Sequence, residues 1–201
     1  MSAARTTEKF DLRSPPEPHR PSLPDMTVHD EHPFQGPDRD PVRQARGRLG
    51  GVVSLWTTGS GADRAGLTVS SLLLANGEPA HVLGLVDPDS DLAEAVADTG
   101  TALVAMLQWR HRDLADAFAG VAPAPGGVFR TGTWTETGWG PLLDGVDTWL
   151  GVRFTSPPRA VGWSLLLDGT VEQVTVGEAG EGDRGPLVHR RGRYLRPDVA
   201  G

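Results

Sequence analysis

The sequence predicts a predominantly β fold with short helices, closed into a barrel rather than opened into a doubly wound sheet. Three observations carry this. About seven runs alternate in polarity or are short and continuously apolar, as strands are. The helical stretches between them are short and do not alternate regularly with the strands, as a parallel sheet would require. The glycines form neither a dinucleotide fingerprint nor a Walker loop, and no nucleophile elbow is present.

The chain of 201 residues suits one core with an appendage. It has no cysteine, which excludes disulfides, a thiolate nucleophile and cysteine-held zinc or iron–sulfur centres. No apolar run reaches the length of a membrane span, and the polar, proline-broken N-terminus does not read as a signal peptide. A soluble, cytoplasmic protein is expected, with no membrane partner. The net charge of −7 weighs against nucleic acid as a partner.

Residues 1–40 are rich in proline and charge and lack apolar periodicity, so a flexible arm is expected, followed by a domain over 41–197. His29 and His32 within the arm have the spacing of a metal pair on a helix, but Pro33 and the polar surroundings point to a solvated segment. Pro41–Arg48 opens with proline and reads as a short helix. Val52–Thr58 and the run RAGLTVSSLLL from Arg64 then form a hairpin about the turn GSGAD. After Glu78 and Pro79, His81–Val86 is a buried strand. In the turn DPDSD, Ser90 or Asp91 caps a helix carrying Leu92, Ala93 and Val96, and Gly100 closes it.

Thr101–Leu107 is another apolar strand, and Arg112–Ala119 places Leu114, Ala117 and Phe118 on one face of a short helix. Trp134 and Trp139 fall in strand edge and turn, and PLLDGV leads into the strand DTWLGVRFT. Beyond Pro157 and Pro158, VGWSLLLDGTVEQVTVG reads as two strands with Asp-Gly as their turn. The basic tail HRRGRYLRP is a solvated edge or a contact for an anionic ligand.

The stretch RAGLTVSS concentrates chemistry. Ala65, Leu67 and Val69 alternate with polar positions, and Thr68, Ser70 and Ser71 gather three hydroxyls where the strand ends. Hydroxyls and open backbone N–H groups suit an acceptor-rich ring edge or a phosphate, and Gly66 would let such a ligand approach the main chain. A half-exposed strand with a wet face explains the same pattern. Ser90 likewise reads as a cap or, with the helix N-terminus behind it, as an anion site.

Taken in order, RAGLTVSS, EP, DPDSDL, TG before an apolar strand, DLADAFAG, GPLLDG and PLVHRRGRY resemble the flavin reductase-like family of FMN-binding split barrels, over about residues 42–196. The resemblance implies a Greek-key split barrel, a homodimer and a flavin near the subunit interface. It implies FMN, with FAD as the alternative, and NADH or NADPH as hydride donor. Gly66, Leu67, Thr68, Val69, Ser70 and Ser71 would meet the ring and ribityl groups, and the turn of Asp89, Ser90 and Asp91 would lie by the phosphate. The implied activity is flavin reduction, with a monooxygenase as the partner supplied.

Two positions depart from the family pattern. Its Gly-Asp-His, where the histidine helps to place the nicotinamide, is matched here by Gly162, Trp163 and Ser164, and an asparagine is replaced by Ala105. Trp163 and Ser164 are therefore the expected donor-binding positions, with Trp163 either stacking on a ring or filling space. A flavin protein that does not use nicotinamide, a carrier or a deazaflavin-linked oxidoreductase, is the competing expectation.

Overall fold

The computed structural model describes residues 41–178 and 185–197. The arm expected over 1–40, with His29 and His32, lies outside the described residues. Helix α1 (Pro41–Arg48) leads into β1 (Gly51–Val52) and β2 (Ser54–Thr58). Then come β3 (Ala65–Val69), β4 (Leu72–Ala75), β5 (His81–Val86), α2 (Asp91–Thr99) and β6 (Thr101–Met106). Helix α3 (Arg112–Phe118) precedes β7 (Trp134–Glu136), β8 (Pro141–Leu143), β9 (Trp149–Arg153) and β10 (Arg159–Val161). The described chain closes with β11 (Ser164–Thr175), β12 (Val188–Arg190) and β13 (Arg193–Leu195).

The main sheet runs β3-β2-β6-β9-β11-β5-β4, with β10 beside β11, and every pairing is antiparallel. Its two end strands, β3 and β4, are separated in sequence only by Ser70 and Ser71. The sheet must therefore curl round until its edges meet at that link, where the Leu85 N–H donates to the Ser71 carbonyl at 3.2 Å. This is the split barrel expected from the sequence. Strands β1, β12 and β13 make a small second sheet, and β7 pairs with β8.

Alternation sorts the strand side chains onto two faces, each with its own core. One core gathers Trp56, Val82, Val86, Val104 and Leu167 with Leu92 and Val96 of α2. The other gathers Leu55, Leu103, Ala105 and Leu143 with Leu114 and Phe118 of α3. Close approach sets two of the glycines in the sheet: a Cβ on Gly84 would lie 2.7 Å from the Trp56 ring, and one on Gly169 would lie 2.3 Å from Val152 Cγ1.

Three local expectations are corrected. The run RAGLTVSSLLL is two strands, because the chain changes edges at Ser70 and Ser71. Val52–Thr58 divides at Val53, whose N–H donates to the Leu187 carbonyl at 2.8 Å as the chain passes from the small sheet to the large one. Asp168-Gly169 is no turn: β11 runs through it for 12 residues, its first half pairing with β5 and its second with β9. Glycine there makes room for Val152 and Phe154 rather than a reversal.

Candidate functional site

Strand β5 brings the sequence-distant motifs together. On one side of its C-terminal end, Leu72 pairs with Gly84, so Ser71 and Ser70 run on beside Leu85 and Val86. On the other side Leu165 pairs with Val86, which sets Ser164 and the Gly162-Trp163 turn next to Asp87. Beyond Val86 the chain enters the turn that holds Asp89, Ser90 and Asp91. The three motifs singled out in the sequence thus meet at one end of the barrel.

The β3 residues do not all face this end. Thr68 Oγ1 donates to the Ala115 carbonyl of α3 at 2.8 Å. A Cβ on Gly66 would stand 2.8 Å from the Phe118 ring, so that approach is taken by a side chain of the same protein. Leu67 packs against the first core and Val69 lies within it. The Val69 carbonyl accepts from buried Ser54 Oγ at 2.8 Å, which in turn accepts from Trp56 Nε1 at 3.0 Å. Ser70 and Ser71, half-buried at the link, are the hydroxyls left at the barrel end.

Ser90 caps α2 as expected. Its Oγ accepts from the Ala93 N–H at 3.3 Å and donates to the Asp87 carbonyl at 2.6 Å, while Asp87 Oδ1 accepts from the Asp89 N–H. The hydroxyl is thereby committed within its own turn. Asp87, Asp89, Asp91 and Glu94 share this end of α2, so an arriving phosphate meets like charge that opposes the helix dipole.

The sequence reading missed the cation at the site. Arg46 of α1 reaches across to Ser71, with Nη2 3.4 Å from Oγ. The small sheet adds His189 and Tyr194, whose rings meet edge to face at 5.9 Å. Burial and the neighbouring Arg46 lower the His189 pKa, and burial with a hydrogen bond to Asp116 raises that of Tyr194. A Cβ on Gly51, the register partner of His189, would lie 2.6 Å from the Ser70 carbonyl, which ties this sheet to the link. The basic tail was the available signal; its pairing with α1 across the fold was not.

Trp163 is 81% exposed on a two-residue turn whose Gly162 has φ +58, so it fills no space in the core of this chain. Trp134, by contrast, packs with Phe118 and Phe129, and Trp139 with Trp149. Ala105 is buried in the second core. Among the described residues no cluster of histidines and carboxylates could hold a metal.

The hydroxyls and backbone of the Ser70-Ser71 link could hydrogen-bond a flavin's ring edge and ribityl chain, and the Arg46 guanidinium could pair with its phosphate, whereas the α2 end is acid-rich. Known proteins share the fold of this chain. The chain is 33% identical over 108 residues to the NADH-dependent FMN reductase RutF of Ancylobacter novellus, an alignment covering 53% of this chain and 59% of that protein. It therefore spans under two thirds of that relative's length. With the NADH-dependent FMN reductase AsuE2 of Streptomyces nodosus subsp. asukaensis it shares 30% identity over 83% of this chain and 89% of the other. In three dimensions it resembles the NADH:FAD oxidoreductase SgcE6 of Streptomyces globisporus C-1027, with TM-score 0.67, 23% identity, and coverage of 81% and 98%. Nitrilotriacetate monooxygenase component B from Mycobacterium thermoresistibile matches with TM-score 0.68, 21% identity, and coverage of 80% and 88%. The model of the flavin reductase like domain matches residues 46–197, from Arg46 through the β12–β13 hairpin, and the chain accordingly belongs to that family.

Proposed function

We propose that this chain is a flavin reductase that transfers a hydride from NADH to FMN and hands reduced flavin to a partner monooxygenase. The observation that carries the proposal is the convergence of Ser70-Ser71, the Val86–Ser90 turn and the Gly162–Ser164 turn about the end of β5. Relatives named as NADH-dependent FMN reductases support the donor and acceptor. A bound flavin supplies the redox chemistry. The chain's task is to hold the ring against the Ser70-Ser71 link and to leave its face open to the donor.

The guanidinium of Arg46 stands where it can stabilise negative charge beside that link. Trp163, an exposed indole at the rim, offers a stacking face beside Ser164, the position where the family pattern has an imidazole. Nicotinamide affinity then rests on stacking and varies little with pH between 5.5 and 7.5, roughly the histidine range.

A cytoplasmic homodimer is part of the proposal. Its support is not the tryptophans of β7–β9, which pack within the chain, but an outward apolar strip: Leu73 on β4, Leu85 on β5, Val161 on β10 and Trp163. Leu73 is 69% exposed, and a strip of this kind calls for a cover. Light scattering at micromolar concentration should report two copies, and Leu73→Glu should shift it to one.

Anaerobic titration of the FMN-loaded protein with NADH tests the activity directly. Bleaching at catalytic rates is expected, and Trp163→His should change the NADH dependence while leaving FMN affinity intact. Bound FMN that neither NADH nor NADPH reduces would favour the carrier or deazaflavin reading, to which the missing imidazole at Ser164 also points.

A further inference from the structure

The chain is acidic overall, yet its positive charge is segregated. Residues 41–52 and 185–197 contain no carboxylate side chain, and between them carry Arg43, Arg46, Arg48, Arg190, Arg191, Arg193 and Arg196. The fold then brings these two segments together from opposite ends of the domain. The Arg191 N–H donates to the Gly47 carbonyl at 3.0 Å, Arg190 Nε donates to the Arg48 carbonyl at 3.3 Å, and β1 pairs with β12. Between α1 and the β12–β13 turn lies an open cleft of about 270 Å³, lined by Gln44, Gly47, Arg48 and Arg191.

Folding alone does not call for this arrangement. Like charges held side by side repel, and Arg191 occupies the left-handed region, φ 52, which residues with a Cβ rarely adopt. A bound anion would offset the repulsion and use the guanidinium that the turn presents. The cleft suits a phosphate or pyrophosphate in size, being too small for a whole nucleotide pair. Its position identifies what could bring one. Arg46, on the same helix, touches Ser71 at the barrel end, so a ligand whose ring lies on the link has its phosphate tail directed by charge toward α1 and away from Asp87, Asp89, Asp91 and Glu94.

From this juxtaposition we infer that the cleft between α1 and the β12–β13 turn is a subsite for the pyrophosphate of a dinucleotide, with Arg48 and Arg191 as its ligands. The inference rests on the reading of the barrel end as a ring site, and the shared chemistry admits two sources, FAD or the nicotinamide donor. Phosphate recognition at this cleft, rather than at the α2 N-terminus, distinguishes it from the Ser90 expectation.

ADP serves as the probe, with adenosine as the uncharged control. Calorimetry on the full chain should show ADP binding that weakens with salt, and adenosine binding at least tenfold more weakly. Arg48→Ala and Arg191→Gly, the latter relieving the positive φ, should each weaken ADP by about tenfold while the melting temperature is kept or raised. The source follows from paired ligands. Loss of affinity for FAD but not FMN assigns the cleft to the flavin, and loss for NADH but not reduced nicotinamide mononucleotide assigns it to the donor.

ADP affinity that is absent in the wild type, or unchanged from wild type in both variants, overturns the inference. So does duplex DNA binding more tightly than ADP, which would make the arginines a nucleic-acid surface. Reduction of FMN without ADP binding would remove the subsite and leave the reductase reading standing, whereas ADP binding without any flavin binding would do the reverse.

Discussion

Gly66 and Ser90 show how one residue type can be read correctly for position and differently for purpose. Glycine at 66 reads as an opening for a ligand, but Phe118 stands where its side chain would be, a partner 52 positions away that no local pattern discloses. Gly66→Ala should therefore cost ~1–3 kcal/mol in urea unfolding through overpacking, and Phe118→Leu in the same chain should recover part of it. If flavin affinity fell without any loss of stability, the glycine would belong to the ligand instead. Ser90 was legible because capping is local: an oxygen, a helix of apolar period and a closing Gly100 with φ 65 all lie within eleven residues. Ser90→Ala should cost ~1 kcal/mol of stability and little flavin affinity, read by unfolding and by fluorescence quenching.

His111 adds a residue that the sequence did not mark. Its Nδ1 accepts from the Gln108 N–H at 3.1 Å, and burial, aided by Arg110, lowers its pKa from 6.5 to about 4. The folded protein thus takes up the proton less readily than the unfolded chain. Stability from this group is full above pH 6.5 and is lost as the pH falls through about 4. Partial exposure keeps the effect small, on the order of 1 kcal/mol. His111→Gln should flatten the decline in unfolding free energy between those limits.

At the scale of elements, bounds set by local chemistry were legible and bounds set by partners were not. Pro41–Arg48, His81–Val86 and α2 begin and end on proline, turn residues or caps, and the structure agrees. The strand break at Ser70 and Ser71 has no such signal: the alternation of Ala65, Leu67 and Val69 stops there, but no proline, glycine or cap marks a turn. Only the closing of the sheet requires it. The continuity of β11 past Asp168-Gly169 was hidden for the opposite reason: a turn signal is present, and packing against Val152 and Phe154 overrides it. Gly169→Ala should destabilise by ~1–3 kcal/mol, whereas a glycine serving a turn of negative φ would tolerate alanine.

Across the whole molecule, the family resemblance supplied the closure that periodicity alone left open, because it uses the order of motifs rather than any one of them. Charge was legible in amount but not in placement. A net of −7 argues against anionic partners only if it is evenly spread, and here the arginines of two distant segments share one face. The segments that meet at the barrel end, Ser70-Ser71, the Ser90 turn and Trp163, were each visible in the sequence, while the reach of Arg46 to Ser71 and the cleft beside it needed the fold.

One feature of β11 reaches beyond packing. It alone among the described strands is flanked by three others, β10, β5 and β9, and its register partners are drawn from positions 81–86, 149–153 and 159–161. Its amides are therefore shared between both halves of the barrel, and neither half can open by itself without breaking them. Native-state hydrogen exchange should find the amides near Leu167 to Val171 among the slowest in the chain, exchanging only through global unfolding, while those of the edge strand β4 open independently. Because its β5 partners are distant in sequence, the same strand should complete its pairing late in refolding and set the pace at which the barrel closes.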